Sequence, residues 1–249
     1  MGFAAVLTTR DAVHPESGIS NPESREAAVR LLGAVPPPPA FDWPGPLDLS
    51  IPSGLTTVIW TLPSLAMPLI RLCVGLRSPV HGRVWVLGQE AGLMSRFEGM
   101  TFRRRLGVAM QPGGLISNVT VRTNLMVPLL YGGLADMEQS LVLVEEVLGA
   151  IGIARWADRR PADVPPEVRQ AAILARALVR RPELVLLEAP FRALRTKRGE
   201  ELLKLCRERA GTVMIVETEN EPWLFERADT LVTLDERGAR LEGHEVGTS

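Results

Sequence analysis

The stretch LVLLEAPFRAL, residues 184–194, is four apolar residues running into one acid, Glu188, followed by Ala189, Pro190 and a turn. A short apolar run bounded by turn residues reads as a strand buried on both faces, the kind found in parallel sheets. Such a strand ending in a carboxylate is also a common way to present a metal ligand or a general base. The next position, where a second acid would stand, is an alanine.

Working outward, the same grammar repeats. Thr196–Ala210 reads as a helix, Thr212–Val216 as a strand, Glu221–Arg227 as a helix, Thr230–Asp235 as a strand and Ala239–Gly243 as an edge strand. Upstream, Ala27–Leu32, Leu47–Ile51, Thr56–Trp60, Arg83–Leu87 and Leu106–Met110 read as strands, with a helix over Pro68–Leu76. From Gln111 to about Arg181 the character is helical, with apolar positions at helical spacing in Met137–Ile151 and Pro166–Arg180. Buried strands alternating with helices indicate an α/β fold with a mostly parallel sheet.

Composition limits the function. The chain has 249 residues, 46% of them hydrophobic, and a net charge of −1. That supports a sizeable core and argues against nucleic acid as a partner. The only lysines are Lys197 and Lys204. Two distant cysteines, Cys73 and Cys206, make no framework or metal pair, and the histidines have no ligand spacing, so no metal site is assigned. The N-terminus lacks the pattern of a secretory signal. Ile51–Ile70 is uncharged, but Pro52, Gly54, Pro63 and Pro68 interrupt it, and it reads as strand, turn and helix in place of a membrane span. Residues 1–24 read as a flexible tail, PPPP (36–39) as a stiff loop spacer, and Arg103–Arg105 as a solvated face or a contact to an acidic partner.

The strings IPSG (51–54), RLCVGLRSPVHGRVWVLG (71–88), RRRLGVAMQPGGLISNVTVRTNLMVPL (103–129), RQAAILARALVRRPELVLLEAPF (169–191) and ADTLVTLDERGARLEG (228–243) stand in a telling order. Together they resemble the nucleotide-binding subunit of ATP-binding cassette transporters. The resemblance implies a RecA-like P-loop ATPase core, with antiparallel edge strands and an inserted helical subdomain at about 112–182, in a single domain over 25–249. It also implies head-to-tail dimers, as homodimer or heterodimer, and an integral membrane permease as partner. The glycine pair at 113–114, Leu115, Val121, Asn124 and the APF ending resemble the bacterial phospholipid-transport ATPases that work with MCE-domain lipid carriers.

The family's phosphate loop, GxxxxGK[ST], uses glycine N–H groups, a lysine and a hydroxyl to hold phosphates and Mg²⁺. The equivalent here is TLPSLAMPLIR (61–71), with Ala66 at the lysine position and Met67 at the hydroxyl position. In the family's Asp-Glu pair, Glu188 takes the place of the metal-binding acid and Ala189 that of the general base. Glu219 stands at the switch histidine, and the signature loop reads VPPEV, with Pro165, Pro166 and Glu167 where a serine and two glycines belong. Gln111 matches the family's nucleotide- and Mg²⁺-sensing glutamine, or is a polar bridge at a domain junction; Glu188 is a relic ligand or a solvated strand-end acid. Gln111, Leu115, Val121 and Asn124 are the expected permease-coupling residues.

The expectation is therefore a catalytically inactive cassette subunit with no catalytic residue. It is expected to bind neither ATP nor Mg²⁺ and to dock as a structural or regulatory partner on the permease of a lipid transporter, in the cytoplasm at the inner membrane. The alternative is a divergent ATPase that binds or hydrolyses ATP with help from a partner subunit.

Overall fold

The computed structural model describes residues 27–40, 42–110, 114–131 and 136–242. These fall into two compact units: the described residues up to Gly99 with those from Met214 onward, and Met100–Val213.

In the first unit, β1 (Ala27–Val35), β2 (Leu47–Pro52), β4 (His81–Val86) and β5 (Gln89–Glu90) form an antiparallel sheet in the order β2-β1-β4-β5. The alternating burial of β2 puts Leu47, Leu49 and Ile51 on its inner face. Gly82 lies where an added Cβ would meet the Gly33 carbonyl oxygen at 2.2 Å, so this crossing admits only glycine. The unit's other strands are β3 (Thr56–Thr61), β8 (Thr212–Glu217), β9 (Thr230–Asp235) and β10 (Gly238–Leu241), in the order β10-β9-β3-β8. β3 pairs parallel with β9, and β10 returns antiparallel. The Asp229 carboxylate accepts the Thr56 N–H at 2.8 Å and the Thr61 hydroxyl donates to the Leu234 carbonyl at 2.8 Å, fixing the register at both ends of β3. Two helices complete this unit: α1 (Pro63–Cys73), which buries Leu65, Leu69, Ile70 and Leu72, and α7 (Pro222–Glu226).

In the second unit, β6 (Leu106–Ala109) and β7 (Leu184–Glu188) pair in parallel, as the apolar runs require. Four helices accompany them: α3 (Val121–Tyr131), α4 (Met137–Ala150), α5 (Pro166–Leu178) and α6 (Thr196–Arg209). α5 packs on β6 at Gly107, where a Cβ would stand 2.2 Å from the Ala177 carbonyl oxygen. α2 (Arg96–Arg104) precedes β6. Arg105, read as part of a solvated face or a contact to an acidic partner, pairs through two nitrogens with Glu183, at 2.6 and 2.8 Å. Each partner shifts the other: Arg105 is raised and Glu183 lowered, chiefly by their mutual hydrogen bond.

Candidate functional site

The first unit carries the phosphate-loop equivalent. β3 ends at Thr61, Leu62 is the N-cap and Pro63 opens α1, so strand passes to helix across one residue. The sequence reading placed a loop over 61–71 and began the helix at Pro68; the helix starts five residues earlier, at Pro63. Proline is favoured in the first turn, where its missing N–H would have no helical partner anyway and its φ is already helical. Leu65, Leu69 and Ile70 then recur at helical spacing on the buried side, which holds the turn against the core despite Pro68 inside it. Ala66 is fully buried, Met67 half-buried, and Leu62 remains 40% exposed.

A loop that wraps phosphates needs several consecutive backbone N–H groups turned inward, a cation and a hydroxyl for Mg²⁺. These residues do not fit that arrangement. Pro63 and Pro68 carry no N–H, the Leu65 N–H is already bonded to the Leu62 carbonyl at 3.0 Å, and no lysine lies in the unit. Among the described residues no three His, Cys, Asp or Glu side chains gather as a metal site.

Glu219 lies in the same unit, exposed in the turn after β8. Its backbone is held by a residue the sequence reading passed over. Glu217, 2% exposed, turns its carboxylate into that turn and accepts the N–H groups of Thr218 at 2.8 Å and Glu219 at 3.1 Å. In the same unit the Trp60 ring tilts against Phe225 at 5.8 Å between centroids.

The second unit carries the acid strand and the signature equivalent. β7 ends at Glu188, half-buried; Ala189 follows at φ +40° and only 1% exposed. A non-glycine residue in that left-handed region costs about 1–2 kcal/mol. The turn is held by Gln170 on α5, whose side-chain amide donates to the Pro190 carbonyl at 2.8 Å in a buried setting. Pro165 is the N-cap of α5 and offers no side-chain cap; Pro166 and Glu167 are exposed in its first turn. The structure thus joins the signature-position helix to the turn beyond Ala189, through a glutamine the sequence reading did not single out.

The expected coupling residues behave differently from one another. Leu115 is half-buried and Ile116 is 40% exposed, but Val121 and Asn124 are fully buried. Asn124 Oδ1 accepts the Ile116 N–H at 2.6 Å, and its amide donates to the carbonyls of Ile116 and Thr120, both at 3.0 Å. Val121 and Asn124 therefore shape the segment from within and present no side chain to a partner. Gln111 lies outside the described residues.

Solved structures share this architecture. A dimeric ATP-binding cassette in a post-hydrolysis state with ADP and Pi superposes with a TM-score of 0.76 at 22% identity, covering 86% of this chain and 97% of that one. The chain has the fold of an ATP-binding cassette. The cassette also resembles cbiO1 of Clostridium perfringens, part of the cbiONQ transporter complex, at a TM-score of 0.72 and 18% identity over 87% of this chain and 88% of that one. No family model matches it. In sequence it is 34% identical, over 66% of its length and 45% of the relative's, to the molybdenum import ATP-binding protein ModC of Thiobacillus denitrificans. It is 30% identical, over 80% of its length and 57% of the relative's, to the methionine import ATP-binding protein MetN 1 of Acinetobacter baylyi. A phosphonates import ATP-binding protein of a Ruegeria strain is 29% identical over 78% of the cassette and 82% of its own length. The cassette thus spans about half the length of the first two relatives.

These comparisons correct one expectation. A cassette without a nucleotide cofactor is overturned, because its relatives are ATP-binding proteins and the cassette repeats the fold of one solved with ADP and Pi. The expectation weighed the residues missing from the phosphate loop, the strand end, the switch position and the signature, whereas the passage from strand into helix at β3 and α1 is retained. Among the described residues, no helix is long and apolar enough to cross a membrane.

Proposed function

We propose that the cassette is a hydrolysis-deficient subunit of a membrane transporter, engaging nucleotide without turning it over and docking on an integral membrane permease as a structural or regulatory partner. The observation that carries this reading is the pairing of two features. The strand-to-helix connection at Leu62 leaves no phosphate loop, and a buried alanine, Ala189, stands at the position of the general base. Removing a general base costs about 10²–10⁴ in rate. Glu219 and Glu167 add negative charge at positions where the family meets phosphate with donors. The dimeric state of the solved cassette supports a pair of such subunits, as homodimer or heterodimer. The protein would then sit on the cytoplasmic side of the membrane through its permease.

For the cargo, the segment from Gly113 to Leu129 and the APF turn favour a bacterial phospholipid transporter with an MCE-domain carrier; the relatives' names favour a small-solute importer instead. Co-purification from membranes with a permease tests the docking, and the carrier that comes with it decides the cargo. The inactivity is tested by phosphate release from the complex formed with its permease. No turnover above background is expected; turnover that falls when Glu188→Gln is introduced would show a working site in this chain and overturn the reading.

A further inference from the structure

In the first unit, the segments 75–80 and 91–93 lie side by side. The Ser78 hydroxyl donates to the Gly92 carbonyl at 2.9 Å. An added Cβ on Gly75 would meet the Ala91 carbonyl oxygen at 2.9 Å, and one on Gly92 would meet Pro79 Cδ at 3.1 Å. Leu76 and Val80 come from one side of this seam and Leu93 from the other; Phe97 follows four residues on, in the first turn of α2. All four are exposed, Leu93 at 78% and Phe97 at 77%. Side chains so little covered by their own chain are knobs, and a cluster of them marks a surface for a protein or a membrane.

Charge separates the two. Arg77 and Arg96 stand beside these knobs, exposed, and neither has an acidic partner among the described residues. The acids of this stretch are engaged within it: Glu90 pairs with Arg83 at 3.7 Å, and Glu98 accepts the Ser95 N–H at 2.8 Å. The apolar cluster therefore keeps a positive rim. A protein partner would need hollows cut for the knobs and acids placed against both guanidiniums. An anionic lipid surface supplies both without matching, since apolar side chains enter the headgroup layer and arginines lie on its phosphates.

We infer that this surface rests on an anionic lipid bilayer, with Leu76, Val80, Leu93 and Phe97 in the headgroup layer and Arg77 and Arg96 on lipid phosphates. The inference goes beyond docking on a permease. It gives the cassette a membrane contact of its own, one that needs neither nucleotide nor turnover.

Flotation of the full chain with phosphatidylcholine vesicles, and with the same vesicles carrying phosphatidylglycerol, tests it. Binding is expected on the anionic vesicles, to be much weaker on the neutral ones, and to fall as salt is added. Arg77→Ala/Arg96→Ala should lose about tenfold or more on the anionic vesicles, whereas Arg77→Lys/Arg96→Lys keeps most of the binding, because the surface potential reads charge. Leu93→Ser/Phe97→Ser should also lose about tenfold or more. Val142→Ser, an exposed apolar residue of the other unit, should bind as the parent does. Phe97→Trp should gain quenching by brominated lipid chains over the parent's own tryptophans. Equal thermal melting of parent and variants shows that the fold is kept. If the parent floats with neither vesicle, the membrane inference falls, while docking on a permease, tested by co-purification, stands. If the variants float as the parent does, this surface is not the contact. If they float as the parent does but no longer co-purify with a permease, the surface serves a protein and the inference is overturned.

Discussion

The side-chain amide of Gln170 donates a buried hydrogen bond of 2.8 Å to the carbonyl of Pro190, tying α5 to the turn that follows Glu188 and Ala189. Replacing Gln170 with leucine keeps the packing volume and strips the carbonyl of its partner. A buried acceptor left unsatisfied costs about 1–3 kcal/mol. Denaturant unfolding should show that loss, and limited proteolysis should find the 189–195 turn newly cut. An unchanged midpoint would mean that the turn holds itself.

Asn124 does the same for the segment before α3. Asn124→Ala takes away the acceptor of the Ile116 N–H and the amide that donates to the Ile116 carbonyl, while the Thr120 carbonyl keeps the Asn124 backbone N–H. The expected cost is about 2–3 kcal/mol. Hydrogen exchange at Ile116 should speed up more than exchange in α5, which separates a local from a global effect.

Pro68 interrupts α1 and withdraws the N–H that the Ser64 carbonyl would accept. Pro68→Ala restores that bond and is expected to raise stability by about 1 kcal/mol or more. Thermal melting checks this; a lower midpoint would show that the proline ring's contacts outweigh the helix bond.

The two thiols should be silent in the native protein. Cys73 and Cys206 are both buried, and burial pushes each thiol up to about 12. At about pH 8 the reactive thiolate is then scarce as well as sheltered. Iodoacetamide is expected to modify neither cysteine until denaturant is added, and then both; mass spectrometry reads the result directly.

Glu146 accepts from Arg181 at 2.9 Å and from Arg209 at 2.8 Å on the same oxygen. Its carboxyl is held below the ordinary value of 4.5, first by the hydrogen bond from Arg209. A lowered carboxylate contributes stability that is present above its unfolded pKa and is lost as pH falls through the folded one. The group is 43% exposed, so solvent screens most of the effect. Glu146→Gln should cost about 0.5 kcal/mol or less near neutrality, and parent and variant should converge as pH drops below 4.5.

Much of the fold was legible where pattern and punctuation agree. Leu184–Glu188 and Thr230–Asp235 have the bounds read from sequence, because each is a run of strand residues stopped sharply by turn formers. Two helices escaped. α2 has little apolar face, but its start carries a capping pair in SRFE: Ser95 Oγ accepts the Glu98 N–H at 3.3 Å and Glu98 returns a bond to the Ser95 N–H at 2.8 Å. α3 was obscured by Pro128, although the Thr120 hydroxyl accepts the Thr123 N–H at 3.1 Å at its start. At the site, the substitutions at 66, 67 and 189 could be read directly, since residue identity is what sequence states. That residues 63–67 are helix could not be, because matching them to a phosphate loop presumed a loop. Gln170 and Glu217 escaped because a polar side chain amid apolar neighbours shows its partner only in three dimensions.

The junction at Leu62 also bears on how such a cassette can change. Residues 63–67 now belong to α1, and each glycine placed there to rebuild a phosphate-wrapping turn would weaken that helix by about 1 kcal/mol relative to alanine. No single one of those changes restores a grip on phosphate, so every early step is a loss with nothing yet gained. A descendant of this chain would have to cross a fitness valley to rebuild that turn, whereas variation elsewhere on its surface remains open.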